Sequence, residues 1–189
     1  MSLLICKETP LIETERLLIR QFVSSDFSDL HDYLAEPSTY AFEPGKPVTM
    51  DEAKELTIQR SKGNDFLAVV LKENRKMIGH LYFKQLDPEE RRTWELGYIF
   101  NPKYHRKGYA SEASSAITNY AFAKCSAHRI MAKCNPENTA SWKLLERIGY
   151  VREGYFKKYG FVHKDDNGDP IWTDAYEYSK IVDDWVTNK

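Results

Sequence analysis

The chain has 189 residues, 42% of them hydrophobic and 29% charged, which suits one ordinary globular domain over 1–189 with a core of useful size. Its formal net charge of −1 argues against DNA, RNA or an anionic membrane as the main partner, so any basic patch must be local. No run approaches the roughly 18 apolar residues of a membrane span, and the N-terminus lacks a long signal-like core, so a soluble, cytoplasmic protein is expected.

Residues 13–22, "ETERLLIRQF", alternate as a first strand, and "SSDFSDLHDYLAE" (24–36) follows as a helix with a Ser or Asp cap, stopped by Pro37. Residues 37–48 form a Pro- and Gly-punctuated loop. The next helix covers 49–63, where Thr49 and Glu52 have capping-box spacing. A hairpin spans 66–86 with its turn at Glu73–Lys76, and 92–100 makes the next antiparallel strand. An Ala-rich helix runs from Gly108 to about Lys124, then a strand at 128–135 and a helix at 138–149, with Asn138 as cap candidate and Gly149 as its stop. The tail reads as two long strands around "DDNGD". This order predicts a mixed α/β layer rather than a regular βαβ array.

Cys6, Cys125 and Cys134 have no metal or redox spacing, so they read as three reduced structural thiols, and no metal site is expected. None has a neighbouring His in a nucleophile signature, which favours direct transfer over a covalent enzyme intermediate.

Chemistry concentrates at "YHRKGYASEA", where a strand hands over to a helix. The first turn of a helix has backbone N–H groups without intrahelical partners, and the dipole adds about half a positive charge there. Gly108 has no side chain to block an approaching anion, Ala110 and Ser111 stay small, and Arg106 and Lys107 line the rim. An ordinary helix start with solvated cations fits the same residues. Neither named phosphate motif applies: glycine follows the lysine instead of preceding it as a Walker loop requires, and no other glycine lies between Gly97 and Gly149.

"HRKGYASEA" resembles the pyrophosphate loop of the GCN5-related N-acetyltransferases (GNAT), and "NPENTASWKLLERIGYVREG" (135–154) resembles that family's second signature. "LIETERLLIRQFVSSDF" and "WTDAYEYSKIVDDW" resemble the start and end of the branch containing the ribosomal-protein N-terminal (RimJ/RimL-like) acetyltransferases. The resemblance implies a central, mostly antiparallel twisted sheet of about six to seven strands with a V-shaped splay and helices on both faces. It also implies acetyl-CoA as donor and a primary amine as acceptor, such as a peptide N-terminus or a small-molecule amine. Cofactor contacts would fall to Tyr98, Ile99 and Phe100 along the strand, to His105, Arg106, Lys107, Gly108, Tyr109, Ala110 and Ser111 in the loop, and to the amide of Asn138.

Two positions depart from the family pattern. His105 stands where the loop usually has Gln or Arg. Leu145 stands where many members carry a tyrosine that protonates the leaving thiolate, which leaves Ser141 as the substitute acid on that helix. An amine is mostly protonated near neutrality and needs a base. Glu95, on the cofactor strand, is the first candidate and His80 a second. A strand carboxylate facing solvent or paired with Arg91 or Arg92 is the alternative for Glu95. Glu43, Asp51 and Glu52 could welcome a cationic acceptor or serve as caps and surface; Tyr40 and Phe42 could line the mouth or plug the core. The departure at Leu145 also leaves open a non-catalytic acyl-CoA sensor. "YHRKGY" and "YFKKYG" leave open a nucleic-acid module, and the C-terminal strands a homodimer.

Overall fold

The computed structural model describes residues 11–187. The readings for Cys6 and the N-terminal run up to Pro10 fall outside them. β1 (Ile12–Glu13) and β2 (Leu17–Gln21) arise from the first expected strand, with Leu17 and Ile19 fully buried. A 3-10 turn at Ser24–Asp26 leads into α1 (Phe27–Leu34). Asp26 is buried there, receives two 2.8 Å hydrogen bonds from the Arg20 guanidinium and accepts from Val23 N, so this carboxylate ties β2 to α1. α2 (Met50–Ser61) begins with the expected capping box: Thr49 Oγ1 accepts from Glu52 N at 3.3 Å, and the Glu52 carboxylate accepts from Thr49 N at 2.6 Å.

β3 (Phe66–Leu71) and β4 (Met77–Gln85) form the predicted hairpin, with Arg75 in a left-handed conformation at its turn. β5 (Thr93–Phe100) pairs antiparallel with β4. α3 (Tyr109–Lys124), β6 (Arg129–Cys134) and α4 (Thr139–Arg147) follow near the expected bounds. β7 (Val151–Lys164) and β8 (Pro170–Ile181) form the long hairpin, whose turn closes as Asp165 Oδ1 accepts from the backbone N–H groups of Asn167 and Asp169. α5 (Val182–Thr187) was not foreseen.

Among the described residues the strands form one sheet in the order β1-β2-β3-β4-β5-β6-β8-β7, in which only β5 and β6 run parallel. The mixed α/β reading holds. The described residues form eight strands rather than about six to seven, because the opening segment breaks into the two-residue β1 and then β2. One face packs Leu81, Leu96, Ile117, Ile130 and Leu145 beneath α3 and α4. The other packs Phe22, Leu30, Tyr33, Val70 and Met77 beneath α1, so helices cover both faces.

Two single-residue readings change. Cys125 is disulfide-bonded, against the expectation of three reduced thiols, while Cys134 is a free thiol. His80 is buried among the rings of Phe22, Tyr33 and Phe66, and its Nδ1 lies 2.7 Å from the Tyr33 hydroxyl. Burial pushes its imidazole well below the ordinary value, and the Arg60 charge adds to the effect. It is a core histidine. Among the described residues no helix is long and apolar enough to cross a membrane.

Candidate active site

Thr93, Trp94 and Glu95 of β5 pair with Arg129, Ile130 and Met131 of β6, and the pairing stops there. β5 continues to Phe100 and β6 to Cys134 along diverging paths, which produces the V-shaped splay. Tyr98 and Cys134 stand in this opening, and α4 brings Ser141 to them. The Tyr98 hydroxyl lies 2.9 Å from Ser141 Oγ and donates to the Ser141 carbonyl at 3.2 Å. Burial raises the Tyr98 phenol above its ordinary value while the Ser141 hydrogen bond pulls the other way, so the phenol keeps its proton near neutrality. Burial pushes the Cys134 thiol up to about 11, which leaves it a neutral thiol rather than a nucleophilic thiolate.

The turn beyond β5 is built from its own backbone and side chains. Asn101 is buried, its N–H donates to Ile78 O at 2.9 Å, and its Oδ1 accepts from Lys103 N to start a 3-10 turn at Pro102–Tyr104. His105 Nε2–H donates to Phe100 O at 2.8 Å, so the residue that replaces the usual Gln or Arg braces the loop against the strand end. Gly108 caps α3 with φ +82° and ψ −2°, a left-handed conformation that favours glycine. Arg106, Lys107 and Gly108 are exposed, and Tyr109, Ala110 and Ser111 form the first turn of α3. The loop residues named from the sequence therefore surround one helix N-terminus.

Two arginines escaped the sequence reading. Arg16 Nη1 donates to Lys107 O at 3.0 Å, and its guanidinium lies 4.5 Å from the Tyr109 ring centre. It also pairs with Glu112 at 2.6 Å. Glu112 further accepts from Thr14 Oγ1 at 2.6 Å and from Arg16 N at 3.0 Å, so the lead-in to β2 clamps the first turn of α3. Arg147, in the last turn of α4, donates to Ser111 Oγ at 3.2 Å and brings another cation to the same turn. Its place just before Gly149 was the available signal, which reads equally well as a helix C-terminal charge.

Asn138 is the N-cap of α4, its Oδ1 accepting from Ser141 N at 3.1 Å. Leu145 is fully buried in the core, so the position used by the family tyrosine faces away from solvent here. Glu95 is half-buried at the last paired rung, opposite Lys84 and Met131, and interacts electrostatically with Tyr82 and Lys133. Its cationic neighbours are Lys84, directly opposite on β4, and Lys133. Asp51 is exposed and pairs with Lys54, and Glu52 is spent on the capping box, so these two serve α2. Tyr40 plugs the core and donates to Leu34 O at 2.9 Å. Glu43 differs: it is half-buried, burial pushes its carboxyl up to about 7, and its charge reaches both Tyr98 and Cys134.

The profile of the Acetyltransferase (GNAT) domain matches residues 16–151, which include β2, the splay, the basic turn and α4. The chain belongs to the GNAT acetyltransferase family. It is 36% identical over 176 residues to the uncharacterized N-acetyltransferase YnaD of Bacillus subtilis, covering 92% of this chain and 98% of the relative. It is 28% identical over 194 residues to the [Ribosomal protein uS5]-alanine N-acetyltransferase of Escherichia coli, covering 94% of each. The crystal structure of a GNAT-family acetyltransferase from Bacillus anthracis superposes with a TM-score of 0.82 at 36% identity, over 92% of this chain and 99% of that one. The reading of the chain as a GNAT N-acetyltransferase thus stands on sequence and fold together.

Proposed function

We propose that this GNAT enzyme transfers the acetyl group of acetyl-CoA to a primary amine by direct attack in a ternary complex. The observation that carries the reading is the left-handed Gly108 at the head of α3, directly beyond the end of β5 where the sheet splays. The free N–H groups of the α3 first turn suit a pyrophosphate, with His105, Arg106, Lys107, Gly108, Tyr109, Ala110 and Ser111 around it. The pantetheine would run beside the backbone of Tyr98, Ile99 and Phe100. Asn138 keeps its amide N–H₂ for it, since the cap uses only Oδ1.

The acceptor reaches the site as an ammonium and must lose a proton before its lone pair attacks the thioester carbonyl. Glu95, at the seam of the splay, is the carboxylate that the family resemblance nominates. As the C–S bond breaks, the sulfur receives a proton from Ser141, whose hydroxyl Tyr98 supports. A peptide N-terminus is the favoured acceptor, because the Escherichia coli relative acts on an alanine of a ribosomal protein. The same reading makes the protein a cytoplasmic enzyme. It includes a homodimer through the β7/β8 hairpin, where Tyr159, Phe161 and Trp172 are exposed, and sedimentation velocity tests that element.

Calorimetric titration of acetyl-CoA into wild type and into Gly108→Glu tests the reading. Micromolar binding to wild type and its loss in the variant, which puts a bulky anion at the phosphate position, is the expected result. A folded wild type that does not bind acetyl-CoA would overturn it.

A further inference from the structure

We propose that Arg16, in the lead-in to β2, is a phosphate-binding residue of the acetyl-CoA site, and that Glu112 and Tyr109 hold its guanidinium in place for that contact. The inference rests on the acetyltransferase reading above and brings to the α3 turn a residue 91 positions before Lys107. The geometry that carries it is a guanidinium fixed on three sides beside Gly108. Its Nη1 donates to Lys107 O at 3.0 Å, and its Nε donates to Glu112 Oε2 at 2.7 Å. Its Nη2 pairs with the same carboxylate oxygen at 2.6 Å, and the Tyr109 ring centre lies 4.5 Å from the group.

A guanidinium has five N–H donors. Among the described residues these contacts use three, so one N–H on each Nη remains for a ligand, and 42% of the side chain stays exposed. A Cβ built at Gly108 would lie 3.4 Å from Nη2, so the free donors border the position of the turn where the backbone is bare. They add a forked cation to the N–H groups of the α3 first turn. A planar fork matches two oxygens of a phosphate, whereas a lysine ammonium acts there as a point charge.

The same geometry gives Glu112 its place. A carboxylate in the first turn of a helix favours the fold but competes with an anionic ligand for the same positive end. Both of its oxygens are filled. Oε1 accepts from Thr14 Oγ1 at 2.6 Å and from Arg16 N at 3.0 Å, and Oε2 takes the two guanidinium contacts. The Arg16–Glu112 pair is neutral overall, which removes the repulsion a bare carboxylate would exert on a phosphate. Its hydrogen bonds also fix the fork before the ligand arrives, which lowers the ordering cost of binding. Lys72 steadies the segment from its other side, with Nζ donating to Thr14 O at 2.7 Å and pairing with Glu13 at 3.0 Å. Glu112 is thus a positioning residue, and Arg16 is the group that meets the phosphate.

The test compares two donors that share the acetyl-pantetheine arm and differ in phosphate: acetyl-CoA and S-acetyl-pantetheine. Affinities for wild type, Arg16→Gln and Arg16→Lys are read by calorimetry for the first donor and by saturation-transfer NMR for the second. Arg16→Gln should weaken acetyl-CoA binding about 10- to 100-fold and leave S-acetyl-pantetheine unchanged, because the lost charge-assisted hydrogen bonds act only on the ligand with phosphate. Arg16→Lys keeps the charge but not the fork, and should lose about 3- to 10-fold for acetyl-CoA alone; it carries the comparison should Arg16→Gln fail to fold. Equal losses for both donors would make Arg16 a structural brace and overturn the proposal, as would wild-type acetyl-CoA affinity in the variants. Wild type that binds acetyl-CoA no tighter than S-acetyl-pantetheine would instead sink the phosphate reading of the α3 turn, and the role of Arg16 with it.

Discussion

The Tyr98 hydroxyl meets Ser141 Oγ at 2.9 Å across the gap where β5 leaves β6. A phenol from the sheet thus reaches the helix that lacks the family tyrosine at Leu145. Tyr98→Phe and Ser141→Ala should each lower kcat by roughly 10- to 100-fold with little change in acetyl-CoA affinity. Because the two hydroxyls act as one unit, the double variant should be scarcely worse than either single one. Steady-state kinetics beside calorimetry checks this, and fully additive losses would separate the two groups.

At Gly108 the backbone rather than the available space decides what is tolerated. A Cβ there would lie 3.4 Å from Arg16 Nη2, an ordinary contact, but φ is +82°. Gly108→Ala should therefore destabilise by about 1–2 kcal/mol, or roughly 2–8 °C in Tm for a chain of this size. Asn tolerates the left-handed region better, so Gly108→Asn should lose less. Thermal scans of both variants test the order.

Glu112 predicts an acid-labile contribution. Burial works against its anion, but hydrogen bonds from Thr14 Oγ1, Arg16 N and the Arg16 guanidinium outweigh burial and hold the carboxyl below its ordinary value. A depressed native value stabilises the fold above the unfolded carboxylate range, and that stability is lost as pH falls through the range towards the native value. Glu112→Gln should thus cost about 1–3 kcal/mol at pH 7, with the gap to wild type narrowing below about pH 4. Urea unfolding at several pH values measures it.

Leu145→Tyr will not restore a conventional acid. Leu145 is fully buried, so the larger ring overpacks the core by about 1–3 kcal/mol and has no path to the splay without backbone movement. The expected outcome is a lower Tm and no gain in kcat. A rate increase would show that the ring had found the leaving sulfur.

Local chemistry carried most of what the sequence revealed. The Thr49–Glu52 capping box, the stop at Gly149 and the Asp165–Asp169 turn are short-range patterns, and all formed as read. The V-shaped splay came from the family resemblance, since residue spacing alone does not say where two parallel strands part. Asn138 illustrates a shared signal: one amide can cap α4 and still offer its N–H₂ group. Glu43 was visible only as one of three acids in the 37–63 stretch. What separates it from Asp51 and Glu52 is burial near Tyr98 and Cys134, residues 55 and 91 positions away in sequence. Such a long-range environment has no periodicity to betray it. α5 stayed hidden because its six residues are too few for a helical repeat to show.

The three rungs between β5 and β6 make the sheet two antiparallel leaves joined by a narrow seam, one holding β1 to β5 and the other β6 to β8. Below the seam, His128 N donates to Arg92 O at 2.9 Å and Val182 N to His128 O at 3.0 Å, while above it Tyr98 reaches Ser141. Trp94 and Ile130 pack at this seam, within the core that α3 and α4 cover across both leaves. Changes of side-chain volume at those two core positions would tilt one leaf against the other and retune the width of the slot. The width of the slot is thus open to adjustment at the seam without any change in the turn that leads into α3.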